Sequence, residues 1–292
     1  MKILSLLVRG LVLLTTLLIL LALAAIGRGY WLLHRVYDRP VAARSLSVDS
    51  VKVARGAHLA ALSCSGCHSP DHGNVLSGSA GNFAAEPTPK MGTLWAPNLT
   101  ASGVLAAYSD AEIERAMREG IRRDGTALVV MPSVDLRWLS PSDMDAILAF
   151  LHSQPRVDRV LPARHLNASG YLFVGAGLIP TSVQERSRTP AEVPEEPGAE
   201  YGAYMVAVTG CRQCHGPTLH GGSAGPGMSA PDIASLAQQG SLKLFERAVR
   251  MGVGHDGRAL DPQRMPWITF RTLSDVEMAS IYEYARTRRS ER

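Results

Sequence analysis

All four cysteines of this 292-residue chain fall in two copies of one five-residue pattern, Cys64-Ser65-Gly66-Cys67-His68 and Cys211-Arg212-Gln213-Cys214-His215. None is left over for a disulfide. A structural zinc site would place a second C-x-x-C about 15–20 residues from the first, whereas these two pairs begin 147 positions apart. A thioredoxin-like redox pair would sit beside a strand–helix–strand pattern, and neither copy does. A pattern that recurs intact and uses every cysteine makes the chain organise itself around the same chemistry twice.

That chemistry is legible in the spacing. C-x-x-C-H is the attachment signature of c-type haem. Two thiols three positions apart reach the two vinyl groups of one porphyrin, and the adjoining histidine lies under the ring as an axial ligand. Cys64, Cys67, Cys211 and Cys214 are therefore expected to hold two haem c groups covalently, with His68 and His215 binding their irons.

The motifs belong to a longer internal repeat. Downstream of the cysteines the offset falls from 147 and then holds: Pro97-Asn98-Leu99 matches Pro231-Asp232-Ile233, Met131-Pro132 matches Met265-Pro266, and Leu139-Ser140 matches Leu273-Ser274, each at 134. The first copy carries 13 extra residues between His68 and Pro97. Ser109 with Glu112 and Ser274 with Glu277 are capping boxes, Gly120 closes a helix, and Ser140-Pro141 opens another. On the closing helices Ile147, Phe150 and Leu151 share a face, as do Ile281, Tyr284 and Ala285. No run of alternating β-branched residues stands out. The expected fold is all-α, two tandem domains at 50–154 and 198–290, behind an N-terminal segment at 1–40 and joined by a Pro-rich strap at 155–197. The strap should have no core of its own, with Tyr171 to Val174 and Leu178-Ile179 packed on one of the domains.

A helix, C-x-x-C-H, loops, a Met-Pro and a closing amphipathic helix together resemble the class I cytochrome c domain, twice over. In that family the first helix crosses the last, which implies that Gly56 and Gly202 let Phe150 and Tyr284 approach. More closely, Gly92 to Thr100, Gly103, Ser109-Asp110 and Met131-Pro132 are similar to the cytochrome c subunits of membrane-bound alcohol and gluconate dehydrogenases. The likeness covers roughly 50–290; those subunits carry three haem domains and this chain two. In such a domain the ligand opposite the histidine decides function, because methionine raises the potential for electron transfer while an open position permits catalysis. Met131 and Met265 are the candidates, each in a loop before the last helix and followed by proline. Met144 and Met278 lie inside the last helices, and Met117 and Met251 at a closing turn; both pairs read as packing. His255 is the alternative ligand, and His58, His72, His152, His165 and His220 read as solvent or loop residues.

The net charge of +4 is concentrated at one end. Residues 1–40 hold Lys2, Arg9, Arg28, Arg35 and Arg39 against Asp38, leaving 25 basic and 25 acidic residues in the rest. No basic groove for nucleic acid is indicated, and the propionates of two haems make the neutral remainder acidic. Residues 11–26 are uncharged and Leu-rich, a length on the border between a signal-peptide core and a membrane span. Ala22, Leu23 and Ala24 offer a cleavage site; Tyr30 and Trp31 continue the run as an interfacial belt would. An uncleaved single-span anchor is the leading expectation, with a cleaved signal or a buried soluble helix as the alternatives.

The resemblance implies a haem-bearing body on the periplasmic side of a bacterial inner membrane, since c-type haem is attached outside the cytoplasm. The function expected is that of a membrane-tethered dihaem electron carrier without catalysis of its own. It would pass electrons from a dehydrogenase or quinol-oxidising partner to a respiratory acceptor such as a terminal oxidase. The alternative is a dihaem enzyme, thiosulfate dehydrogenase-like or peroxidase-like, with one open site; a gas-binding module would also need an output domain, and none is visible.

Overall fold

A computed structural model describes residues 2–85, 90–186, 190–225, 228–262 and 264–289. Ser290, the expected end of the second copy, and short stretches of both copies and of the strap lie outside them. The apolar run forms α1 (Lys2–His34), 33 residues and about 50 Å long at 1.5 Å per residue. It is the one helix among the described residues long and apolar enough to cross a membrane.

Copy one comprises α2 (Ser50–Ser63), α3 (Ser65–His68), the two-residue strand β1 (Gly92–Thr93), a 3-10 turn at Val104–Ala107, α4 (Asp110–Glu119), α5 (Ser133–Leu136) and α6 (Pro141–His152). The strap supplies β2 (His165–Leu166) and α7 (Ala168–Gly175). Copy two follows with α8 (Ala199–Val208), α9 (Cys211–His215), β3 (Gly222–Gly225), β4 (Met228–Ala230), α10 (Ile233–Gln239), α11 (Leu242–Met251), α12 (Trp267–Phe270) and α13 (Asp275–Thr287). The fold is mostly helical, as expected; the strands form two short antiparallel pairs, β1 with β2 and β3 with β4.

Local signals set the helix ends. Ser109 and Glu112 close a capping box at α4, Gly120 ends it in the left-handed conformation, and Ser274 with Glu277 repeats the box at α13. Ser109→Ala should cost about 1 kcal/mol in a denaturant titration, the usual worth of an N-cap; an unmoved midpoint would show that the box adds nothing. The first and last helices of each copy cross where a side chain has no room. A Cβ on Gly56 would lie 1.9 Å from the Ala146 carbonyl oxygen and 2.8 Å from Phe150 Cβ. On Gly202 it would lie 1.9 Å from the Ser280 carbonyl oxygen and 2.8 Å from Tyr284 Cβ, so both copies use one crossing geometry.

The copies share a continuous apolar core that runs through α2, α6, α8 and α13, and their contacts repeat under exchange. α5 of copy one packs on α8 of copy two, and α12 of copy two packs on α2 of copy one. Tyr204 on α8 donates to Asp143 Oδ2 on α6 at 2.6 Å. Its counterpart His58 on α2 donates to both Glu277 oxygens on α13 at 2.9 Å. Arg55 and Tyr201, the equivalent positions one turn earlier, meet each other at 3.3 Å. The arrangement is pseudo-two-fold, with Arg55 and Tyr201 on the axis.

The strap departs from the expectation. Its residues 168–175 form α7, which packs on α1 and, with Leu166, Leu33, Met91 and Val129, builds a second apolar cluster. Leu178, expected to pack, is 69% exposed. The longer segment of copy one supplies the other wall through Ala84, Met91 and the β1–β2 pairing. Leu33 is fully buried there, so the base of α1 belongs to the fold. The basic residues of this end have local uses: Arg35 stacks over Trp31 and Tyr37, and Arg39 pairs with Glu119 at 2.8 Å.

Candidate cofactor sites

α2 ends at Ser63 and Cys64 caps the short turn α3, which carries Cys67 and His68. In copy two α9 holds Cys211, Cys214 and His215 in one turn. The four thiols are free of disulfides. Burial, with a small contribution from Cys67, pushes the Cys64 thiol up to about 12, and burial raises the other three as well.

The two imidazoles are held alike. His68 Nδ1 donates to the Pro97 carbonyl at 3.0 Å, and His215 Nδ1 donates to the Pro231 carbonyl at 2.9 Å. Both rings are buried, and burial outweighs the carbonyl in lowering their pKa, so they stay neutral. A proton fixed on Nδ1 leaves Nε2 with the lone pair, the tautomer a metal ligand needs. The Pro97 loop is itself tied down, since Asn98 Nδ2 donates to the Val157 carbonyl at 2.8 Å and Oδ1 accepts from the Thr100 amide and hydroxyl. Pro97 and Pro231 were visible as repeat markers, but their role as acceptors is a backbone property with no side-chain signature.

The two Met-Pro elements share a second local geometry. Pro132 (φ −80°, ψ 53°) and Pro266 (φ −76°, ψ 54°) each centre an inverse γ-turn. The turns are closed by Ser133 N–H to the Met131 carbonyl at 2.8 Å and Trp267 N–H to the Met265 carbonyl at 2.7 Å. Proline presets the φ such a turn requires. Met131 and Met265 are half-buried against the apolar cluster that also contains Cys64 and touches Cys211. Met144 and Met278 are buried in the core, as is Met117. Met251 departs from the packing role expected of it and is 64% exposed.

One histidine differs from its reading as a solvent or loop residue: His58, on α2, lies in the contact between the copies. His220 lies in a loop, where its Nδ1 donates to Asp232 Oδ2 at 3.0 Å. The C-x-x-C-H turn of copy two also touches copy one, through Gln213 donating to Asp135 on α5, and just before it the Val208 carbonyl at the end of α8 accepts from Ser63 Oγ at 3.1 Å. The donor set of each copy fits a covalently attached haem: two thiols within a turn, a neutral imidazole beside them with its tautomer set, and a thioether on an apolar wall.

A cytochrome c family model matches residues 53–155. The chain is 30% identical over 185 residues to the cytochrome c subunit of a quinone alcohol dehydrogenase from Gluconacetobacter polyoxogenes, a match covering 60% of this chain and 38% of the relative. It is 33% identical to a nicotinate dehydrogenase subunit from Pseudomonas putida over 59% of this chain and 14% of that protein. The chain thus spans well under half the length of these relatives. A thiosulfate dehydrogenase electron acceptor from Stutzerimonas stutzeri is 26% identical over 87% of this chain and 93% of its own length.

Proposed function

We propose, from the premise that this chain carries a cytochrome c domain over residues 53–155 and with it covalently bound haem c, that it is a dihaem electron carrier anchored in a membrane. Cys64 and Cys67 would hold one haem and Cys211 and Cys214 the other, with His68 and Met131 as iron ligands of the first and His215 and Met265 of the second. The single observation that carries the reading is the repetition, in the second copy, of every local device of the first: the thiol pair, the imidazole tied to a proline carbonyl, and the Met-Pro γ-turn. Each haem, when bound, supplies a one-electron ferrous–ferric couple. The chain's residues keep the imidazoles neutral and oriented, present the thioethers from a rigid turn, and surround the sites with apolar side chains.

Electrons enter from a dehydrogenase and leave to a respiratory acceptor. The relative matched over nearly its whole length is named as an electron acceptor, whereas the relatives named as dehydrogenase subunits are matched over a minor part. This supports a separate carrier that receives electrons from its dehydrogenase. α1 is an uncleaved anchor with the haem-bearing body in the periplasm, a reading supported by the burial of Leu33 and by the ion pair of Arg39 with Glu119 just beyond the helix.

Met131→Ala and Met265→Ala test the ligands. Each variant should lose one share of the Met–iron charge-transfer absorbance, and the double variant all of it, with the reduced double variant gaining rapid carbon monoxide binding. An unchanged band in both single variants would remove the assignment. Rapid stoichiometric carbon monoxide binding by the reduced parent protein would instead favour the dihaem enzyme.

A further inference from the structure

We propose that the turn following α7 inserts into the lipid bilayer beside α1, so that the protein enters the membrane at two places. The proposal rests on the anchor reading of α1. α7 runs antiparallel to α1 at backbone contact: a Cβ on Gly29 would lie 2.0 Å from the Tyr171 carbonyl oxygen, and a Cβ on Gly175 would lie 1.7 Å from the Ala25 carbonyl oxygen. The chain leaving Gly175 therefore continues toward Ala22, alongside the apolar run of residues 11–26 and beyond Arg28.

That turn has the properties hydrocarbon demands. Residues 168–183 contain no charge. The end of α7 closes on itself: Ala176 N–H donates to the Leu172 carbonyl at 2.8 Å, Gly177 N–H to Val174 at 3.1 Å, and Leu178 N–H to Phe173 at 2.9 Å. Gly177, at φ 77°, takes the left-handed position of this Schellman-type end. Arg28 Nη1 donates to the Gly175 carbonyl. Backbone polar groups enter a bilayer only when paired within the protein, and an arginine at the membrane border keeps its charge at the interface by reaching along the helix. Leu178, 69% exposed, is then the exposed large apolar side chain of an uncharged tip whose backbone N–H groups at 176–179 are bonded within α7. Its continuity with the exposed apolar surface of α1 identifies the occupant as lipid. α7 is too short to span, so the tip descends about one helical turn, ~5 Å, past Arg28. Two insertions would hold copy one in one orientation on the bilayer.

Single cysteines in the full-length holoprotein reconstituted alone into phospholipid vesicles test this, because the native cysteines are consumed as thioethers. Val51→Cys, at a position 77% exposed on α2, serves as the exposed reference, Leu14→Cys reports α1, and Leu178→Cys reports the tip. A charged, membrane-impermeant maleimide should modify Val51→Cys readily and Leu178→Cys at least about ten-fold more slowly, since a charged reagent does not enter hydrocarbon. All positions should react after denaturation, and native haem absorbance confirms folding. Modification of Leu178→Cys as fast as Val51→Cys overturns the proposal. If Leu14→Cys stays protected in that case, the anchor stands and only the tip is excluded; if Leu14→Cys is modified as well, or is absent from the mature chain, the anchor reading fails.

Discussion

Replacing Cys211 and Cys214 together by alanine should leave copy two without a stable fold. The expected readouts are loss of the helical circular-dichroism signal of α8 to α13 and rapid proteolysis of residues 199–287, while copy one keeps its haem absorbance. The reason is size and packing. A unit of about 90 residues buries a modest fraction of its surface, and a small domain has a stability of only about 5–15 kcal/mol to lose. α11 illustrates the margin. Its apolar residues Phe245 and Val249 are half-buried, and none of its side chains is fully buried. The equivalent α4 buries Ala111, Ile113 and Met117. On the proposed dihaem reading, a covalent haem would supply a large apolar surface to a core that side chains alone fill sparingly. Copy one has additional support from the cluster around Leu33, Met91 and Val174, so the Cys64→Ala/Cys67→Ala chain should lose less helix than its counterpart. A cooperative melt with undiminished helical signal in the Cys211/Cys214 variant would refute this account of copy two.

Arg55→Ala should cost about 3–5 kcal/mol, the range found when one partner of a buried ion pair is removed. Arg55 binds Asp143 through both Nε (2.8 Å) and Nη2 (3.0 Å), reaches Glu277 at 3.3 Å, and also pairs with Glu195. Burial disfavours its charge, yet the hydrogen bonds and charge of Asp143 raise its pKa above the ordinary arginine value. Without it, two carboxylates remain between the copies, Glu277 with a side chain only 2% exposed. Arg55→Lys should recover part of the loss, because an ammonium cannot bridge both oxygens of Asp143 in the planar fork. The same cluster sets a pH dependence. Burial alone would raise the Glu277 pKa, but hydrogen bonds from His58 and the Ser274 amide, with the charges of His58 and Arg55, hold it down at about 2. A carboxyl depressed in the folded state contributes stability that is complete above its ordinary range near 4.5 and lost as pH falls toward 2. The midpoint of denaturant unfolding should drop across that interval in the parent and drop less in Arg55→Ala. Equal midpoints for parent and variant at neutral pH would show that the cluster does not join the copies.

The C-x-x-C-H motifs, the repeat and the helix ends are legible in the sequence because each is local: a pattern of five residues, a constant offset, a cap three positions from its partner. The interface between copies was not. Asp143 and Glu277 each sit at the third position of a helix, where an acid already has an evident capping role, and their partner Arg55 is 88 and 222 positions away. His58 reads from the sequence as a solvent or loop residue, because its partner Glu277 is 219 positions away. α7 was missed for a different reason. Its sequence, ASGYLFVG, combines glycines and aromatics of low helix propensity, and it is helical where it lies against the backbone of α1. β1 and β2 are two residues each, too short to show alternation. Of the candidate site, thiols, imidazoles and methionines were readable as residue types in order, while the proline carbonyls that orient the imidazoles belong to the main chain and left no trace in the pattern.

A self-complementary interface of the kind formed by α2, α6, α8 and α13 is the surface a homodimer uses. Joined in one chain, the halves meet at the high effective concentration a short tether provides, always in equal number and always as unlike partners. Fusion also removes a constraint of symmetry. In a homodimer every protomer would carry the longer loop of copy one, and with it the platform that receives α1 and α7. Here one half alone bears that platform, which leaves the other free to change its outward surface without altering how the pair holds α1 and α7.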